Sequence, residues 1–350
     1  YRGQIPFMQG LEESRNLCYL GLIKGIGGGL GIFHKDHFTE TILRLGITLP
    51  PTKGTDILSE ELSKRMNIKR QHLDPGHTGI IGSFDATVFE LARSWTPLYG
   101  GIMVEPRIID QIIDETGEST HFPPHFYGNI IAEMWIEAQK ETLRWQDAYR
   151  LQKLYETHGI KKSQRTIYRK EVFPIMTFDE ETLKQQAPQA AQIVTLALIR
   201  GLRGTVEGIH GTAKLARKGD EEHDIPKLEF DLACKTGTAT NTQRETTDNW
   251  IVCRTTTHVV VVWIGRKNQL PMESFVILPD GTQKKYQETG GGNALPAAIL
   301  ILNALSKIYP QEPFPEATNP KNPFPYIIPT IIQPPDLYMN NEQADYKDDF

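Results

Sequence analysis

The sequence predicts an α+β fold, an antiparallel sheet flanked by helices, and three observations lead there. Three β-rich runs, Glu229–Thr238, Trp250–Thr255 and His258–Gly265, are joined by polar turns and read as an antiparallel meander. Apolar residues at helical spacing mark a helix on either side: Ala191, Val194, Leu198 and Leu202 before the meander, and the run from Ala294 to Ile308 after it. With 350 residues, 39% of them hydrophobic, the chain can bury a large core between such layers.

Taken in order, Tyr1 to Phe7 is polar with Gly3 and Pro6 and reads as a loop. Leu17, Leu20 and Gly21 then fall at helical spacing, which makes Ser14 or Asn16 an ordinary helix cap. Gly25–Gly31 lacks the Lys of a phosphate loop and reads as a flexible connector. Thr39–Leu45 is a short helix ended by Gly46. Thr87 and Glu90 have the spacing of a capping box, opening a helix with Val88, Leu91, Ala92 and Trp95 on one face. Tyr99–Pro106 reads as a turn and a short strand, with Ile108–Ile113 continuing extended.

A long charged helix is expected from Asn129 to about Thr157, its stripe of Trp135, Trp145 and Tyr149 serving packing. The next helix is expected from Pro188 to about Leu202, with Ala191, Val194, Thr195, Leu198 and Leu202 on one face. Gly290-Gly291-Gly292-Asn293 opens the last helix, with Pro296 tolerated at its start. After Tyr309, nine prolines up to Pro335 and an acidic end read as an extended or disordered tail, 311–350.

Composition excludes some classes. A net charge of −5 gives no basic field to hold nucleic acid by its phosphates. The longest apolar run, Val259–Ile264, falls far short of the roughly 20 residues that cross a bilayer. Tyr1 is not an initiator Met and no signal-peptide pattern follows, so the sequence reads as a piece of a longer protein. Cys18, Cys234 and Cys253 lack metal-ligand spacing, and no metal or organic cofactor is expected.

The stretch with most chemistry is Lys235-Thr236-Gly237-Thr238. On a strand, Lys235 and Gly237 point one way, and Cys234, Thr236 and Thr238 the other. Lys235 offers a point charge, the hydroxyls can bind a carboxylate or relay a proton, and Gly237 admits close approach of a ligand or a backbone. The blander reading is a polar turn after an edge strand.

In series, these blocks resemble the transpeptidase domain of penicillin-binding proteins, the class A kind most closely. Ser14-Arg15-Asn16 is similar to the family's Ser-x-Asn motif and Lys235-Thr236-Gly237 to its Lys-Thr-Gly motif. Between and beyond them, Tyr99-Gly100-Gly101, Gly211-Thr212-Ala213, Asp248-Asn249-Trp250 and Gly290-Gly291-Gly292 follow in the family's order, over roughly 1–310. Tyr99 stands where an Asn is usual, and 119–167, mostly the charged helix, looks like an insertion.

The resemblance implies a penicillin-binding-protein/β-lactamase-like fold and a D,D-transpeptidase that acts on peptidoglycan stem peptides and is acylated by β-lactams. Ser14 would shuttle a proton to the leaving amine and Asn16 would hold a substrate amide. Lys235, Thr236, Gly237 and Thr238 would line the substrate carboxylate, with the Thr238 N–H as half of an oxyanion hole. The family's Ser-x-x-Lys nucleophile is absent: no Ser in the chain has a Lys three residues on. It is expected upstream, with any glycosyltransferase domain and membrane anchor. The implied location is the cell envelope, periplasmic or on the outer face of the inner membrane, with other cell-wall synthesis proteins as partners. Alternatives are a carboxypeptidase or β-lactamase on the same fold, or a non-catalytic envelope module.

The resemblance also implies that Cys234 and Cys253, where the family commonly has Gly, lie on neighbouring antiparallel strands. Pairing Thr238 with Asn249 sets the two cysteines opposite, with Cβ atoms about 4.5–5.5 Å apart, somewhat wider than a disulfide prefers, so two packed thiols stand against a cross-strand disulfide.

Overall fold

The computed structural model describes residues 7–15, 35–49, 60–67, 69, 85–109, 111–122, 125–139, 180–266, 270–272, 274–277, 281–286 and 288–315. Asn16, the helical spacing at 17–24, the connector Gly25–Gly31, the expected helix beyond 139, and the tail from 316 lie outside the described residues. Helices are α1 (Phe7–Glu12), α2 (Lys35–Arg44), α3 (Glu60–Met66), α4 (Val88–Ser94), α5 (130–139), α6 (Glu180–Glu207), α7 (Leu215–Lys218) and α8 (Leu295–Ile308). Strands are β1 (Ile102–Glu105), β2 (Gln111–Ile113), β3 (Ser119–His121), β4 (His125–Asn129), β5 (Ala233–Thr240), β6 (Thr246–Arg254), β7 (Val259–Gly265), β8 (Ser274–Ile277) and β9 (Gln283–Tyr286). The chain divides into two compact units, Tyr1–Trp95 with Leu196–Phe350, and Thr96–Thr195.

The first unit is built on the antiparallel sheet β5-β6-β7. Its register runs Thr238 to Asn249 to Ile264, and Cys234 to Cys253 to Val260. Alternation places Cys234, Ile251, Cys253 and Val260 in a core with Leu295, Ala298, Ile299 and Leu302 of α8. Burying each of the larger aliphatic side chains is worth about 1.5–3 kcal/mol, so this contact fixes the sheet. By length and composition the helical run Gly290–Ile308 could cross a membrane; here one side of it is the core layer behind the sheet.

The start of α8 follows from its sequence. The Thr289 hydroxyl accepts the Gly292 N–H at 3.0 Å, a π-turn spans Gly290–Ala294, and Pro296 occupies the first turn, where its missing N–H costs nothing. Beyond α8 the chain stays packed: Phe314 is buried and its N–H donates to Asp231 at 2.9 Å. The capping box forms as read, Thr87 Oγ1 accepting the Glu90 N–H at 3.1 Å and Glu90 accepting the Thr87 N–H at 2.8 Å. α2 ends at Gly46, whose φ of +81° is a conformation other residues rarely adopt.

Two expectations are corrected. α1 begins at Phe7, inside the stretch read as loop, and ends at Glu12; the helix that Ser14 or Asn16 was expected to cap lies outside the described residues. α6 begins at Glu180 and holds Pro188 in its interior. A proline there removes one helical hydrogen bond and crowds the carbonyl four residues back. Packing offsets that: Ala187 and Ala191 are buried against Ala132, beside Ile131, Trp135 and Ile136.

In the second unit β1 pairs with β4 across a bulge, and β2 pairs with β3 as a hairpin. Among the described residues of the run expected to be extended from Ile108, Gln111–Ile113 is strand and Ile108 and Ile109 are not. The 119–167 stretch opens with β3 and β4 before α5 starts at residue 130.

Candidate active site

The site forms where α1, β5 and the turn before α8 meet. Gly204, in the last turn of α6, and Gly208, just past its end, leave room for the Glu12 side chain; a Cβ at Gly208 would run into its carboxylate. α1 is thereby seated with its C-terminal end toward β5. There it closes with a Schellman motif: the Arg15 N–H reaches the Gly10 carbonyl at 2.8 Å and the Ser14 N–H the Leu11 carbonyl at 3.3 Å. Ser14 takes the left-handed position, φ 56°, that is normally glycine's.

A non-glycine residue in that region costs about 1–2 kcal/mol, and such strain concentrates at functional positions. What Ser14 gains is a contact: Lys235 Nζ donates to Ser14 Oγ at 2.5 Å, across 221 positions of sequence. The same Nζ donates to the Thr236 carbonyl at 3.0 Å. Burial disfavours the charged amine and lowers the Lys235 pKa to about 8. At neutral pH it is still mostly an ammonium, held at the sheet edge.

Thr236 and Thr238 anchor the edge to its surroundings. Thr236 Oγ1 donates to Thr212 Oγ1 at 2.8 Å, and Thr238 Oγ1 accepts the Gly290 N–H at 3.1 Å. Gly237 lies opposite Trp250, where an added Cβ would sit 3.2 Å from the Trp250 Cβ. At Gly290 a Cβ would overlap the carbonyl oxygens of Gly237 and Trp250, and at Gly291 it would come 2.6 Å from the Thr212 carbonyl. The glycine run therefore brings the α8 turn against the backbone of β5 and β6, besides opening a helix.

Behind this edge Cys234 and Cys253 are joined, with an S–S distance of 2.18 Å and Cα atoms 4.2 Å apart. Both are fully buried. Thr205 of α6 shares its hydroxyl proton between the Cys234 carbonyl at 2.7 Å and the Leu202 carbonyl of its own helix at 2.8 Å.

Neither a protein-family model nor a curated protein matches the sequence. Among solved structures, the chain is similar to the D,D-transpeptidase domain of a peptidoglycan glycosyltransferase from Eggerthella lenta, with a TM-score of 0.44 and 16% identity. The match covers 88% of this chain and 54% of that one, so the chain spans about half the length of the structure it resembles.

Of the residues singled out in the sequence, Ser14, Lys235, Thr236, Gly237 and Thr238 come together, and Asn16 lies outside the described residues. Thr205, Thr212 and Gly290 were not identified as site residues, because their roles depend on contacts distant in sequence. The faint signal was in the small residues: Gly211-Thr212 just after a helix, and three consecutive glycines before another. The arrangement offers a half-buried cation, a hydroxyl in contact with it, and a strand edge with β6 as its sheet partner among the described residues. Such an edge can receive an extended peptide ending in a carboxylate.

Proposed function

We propose that this chain is the C-terminal portion of a serine-type peptidoglycan D,D-transpeptidase domain of the class A kind, 1–310, with an insertion at 119–167 and a Pro-rich tail at 311–350. The observation that carries the reading is the Lys235–Ser14 hydrogen bond, which joins the two motif residues that acyl transfer requires to be neighbours.

In this reading a Ser-x-x-Lys nucleophile comes from outside these 350 residues. Its Oγ attacks the penultimate D-Ala carbonyl of a stem peptide, and the charge developing on that oxygen is met in part by the Thr238 N–H. D-Ala leaves as its amine takes a proton through Ser14, whose hydroxyl is in turn hydrogen-bonded by Lys235. A neighbouring stem's amine then attacks the acyl-enzyme, forming the cross-link and restoring the nucleophile. The Lys235 ammonium, Thr236 and Thr238 hold the terminal carboxylate, and Asn16 a backbone amide of the substrate. The same groups would receive a β-lactam. The chemistry belongs in the cell envelope, among other cell-wall synthesis proteins.

The test is to express the gene from its natural start, incubate with a β-lactam, and map any covalent adduct by intact and peptide mass. The expected result is one adduct on a Ser upstream of Tyr1, reduced at least about a hundredfold in rate by Lys235→Ala. With a pentapeptide stem and an acceptor stem supplied instead, release of free D-Ala without cross-linking would make it a hydrolase. Folded protein with no adduct would leave a non-catalytic envelope module.

A further inference from the structure

We propose that the Cys234–Cys253 disulfide and the Thr205 hydroxyl form a positioning clamp for Lys235, so that the placement of its amine against Ser14 depends on the oxidised state of the pair. The importance of that placement for acyl transfer rests on the function proposed above. The clamp itself stands on separate observations.

Cys234 immediately precedes Lys235 on β5, so whatever fixes its main chain fixes the root of the lysine side chain. Three restraints converge on it. The disulfide ties it to Cys253, directly opposite on β6. Thr205 ties its carbonyl to α6 at 2.7 Å. Its side chain lies in the core with Ile251 and Leu295. β5 needs such help because it is an edge strand, with β6 its sheet neighbour among the described residues. An edge lacks the second ladder that holds a central strand. Past Gly237 the side chains of β5 are exposed, so the firm attachment lies at the Cys234 end.

Both sulfurs are fully buried, so a reductant reaches them only through local opening. Reduction by a dithiol delivers two electrons and two protons, leaving two thiols here and a disulfide on the reagent. Such a clamp suits an oxidising compartment.

Thiol titration of the denatured, unreduced chain is expected to count one free thiol, Cys18; three would overturn the proposal. The positioning claim is read on the 350-residue chain by following the Lys235 Nζ resonance through a pH titration, assigned with Lys235→Arg. In the oxidised chain the midpoint is expected near 8. In a folded Cys234→Ala/Cys253→Val variant it should rise by about one pH unit as the amine swings toward water. An unchanged midpoint in a folded variant overturns the clamp. If that variant does not fold, Thr205→Val keeps both cysteines; a smaller rise supports the clamp and no rise overturns it. The transpeptidase reading fails separately, by the absence of a β-lactam adduct, and these titrations would still stand.

Discussion

The sheet β5-β6-β7 and the hairpin β2-β3 share a backbone grammar, antiparallel pairing across a short turn, and differ in what lies behind them. β6 is buried along most of its length against α8, and the sheet carries the candidate site. Every residue of β2 and β3 is exposed, with Ile112 at 52% and Ile113 at 60%. That hairpin is held by its own turn, where Asp114 Oδ1 accepts from the Thr116 N–H, the Thr116 hydroxyl and the Glu118 N–H. Main-chain pairing alone makes a ribbon; a second buried layer makes it a platform on which a side chain keeps its place.

The largest test of that contrast pairs Ile299→Ala with Ile112→Ala. The first empties a fully buried position and should cost about 2–5 kcal/mol in urea unfolding. The second should stay within about 0.5 kcal/mol of the parent. Equal costs would break the comparison.

Next come changes at the site itself. In the protein expressed from its natural start, Ser14→Ala and Ser14→Gly should each slow β-lactam acylation by about a hundredfold. Their stabilities should part: Gly relieves the left-handed backbone and gains up to about 1 kcal/mol over Ala, seen as a higher urea midpoint. Gly290→Ala, whose added methyl meets main-chain oxygens that cannot rotate away, should cost about 1–3 kcal/mol and acylation together.

Lys235 gives a smaller, pH-dependent effect. Its ammonium fraction falls about tenfold from pH 7 to pH 9 around a midpoint near 8, and acylation by an anionic β-lactam should fall with it. Stability moves the other way. Between the folded midpoint near 8 and the ordinary lysine value the unfolded chain binds more protons, so unfolding free energy rises with pH across that window. Lys235→Met should flatten that rise in urea titrations. The smallest effect is expected from Asp114→Ala, which should speed amide exchange in the hairpin and leave both global unfolding and acylation unchanged.

What could be read beforehand was what local pattern encodes. The meander, the Thr87–Glu90 capping box and the first turn of α8 at Pro296 follow from alternation, spacing and backbone restriction, while the pairing of Thr238 with Asn249 came from the resemblance. The closure that places Ser14 at the end of α1 was not read, because it is made by main-chain groups and leaves no mark on residue type. Pro188 was taken for a helix start, and packing around Ala187 and Ala191 carries the helix through it. Thr205, Thr212 and Gly290 gain their roles from partners 24 to 52 positions away, beyond the reach of any local window.

The seam at Gly290 bears on how a mutational scan of this protein would be read. Its contacts are main chain against main chain, Gly290 over the carbonyls of Gly237 and Trp250. A survey that shortens side chains has nothing to remove there, and would score the seam as silent. It becomes visible only in a survey that adds atoms, where Gly290 and Gly291, whose added methyl would meet main-chain oxygens at 2.4 and 2.6 Å, should tolerate a single methyl group poorly.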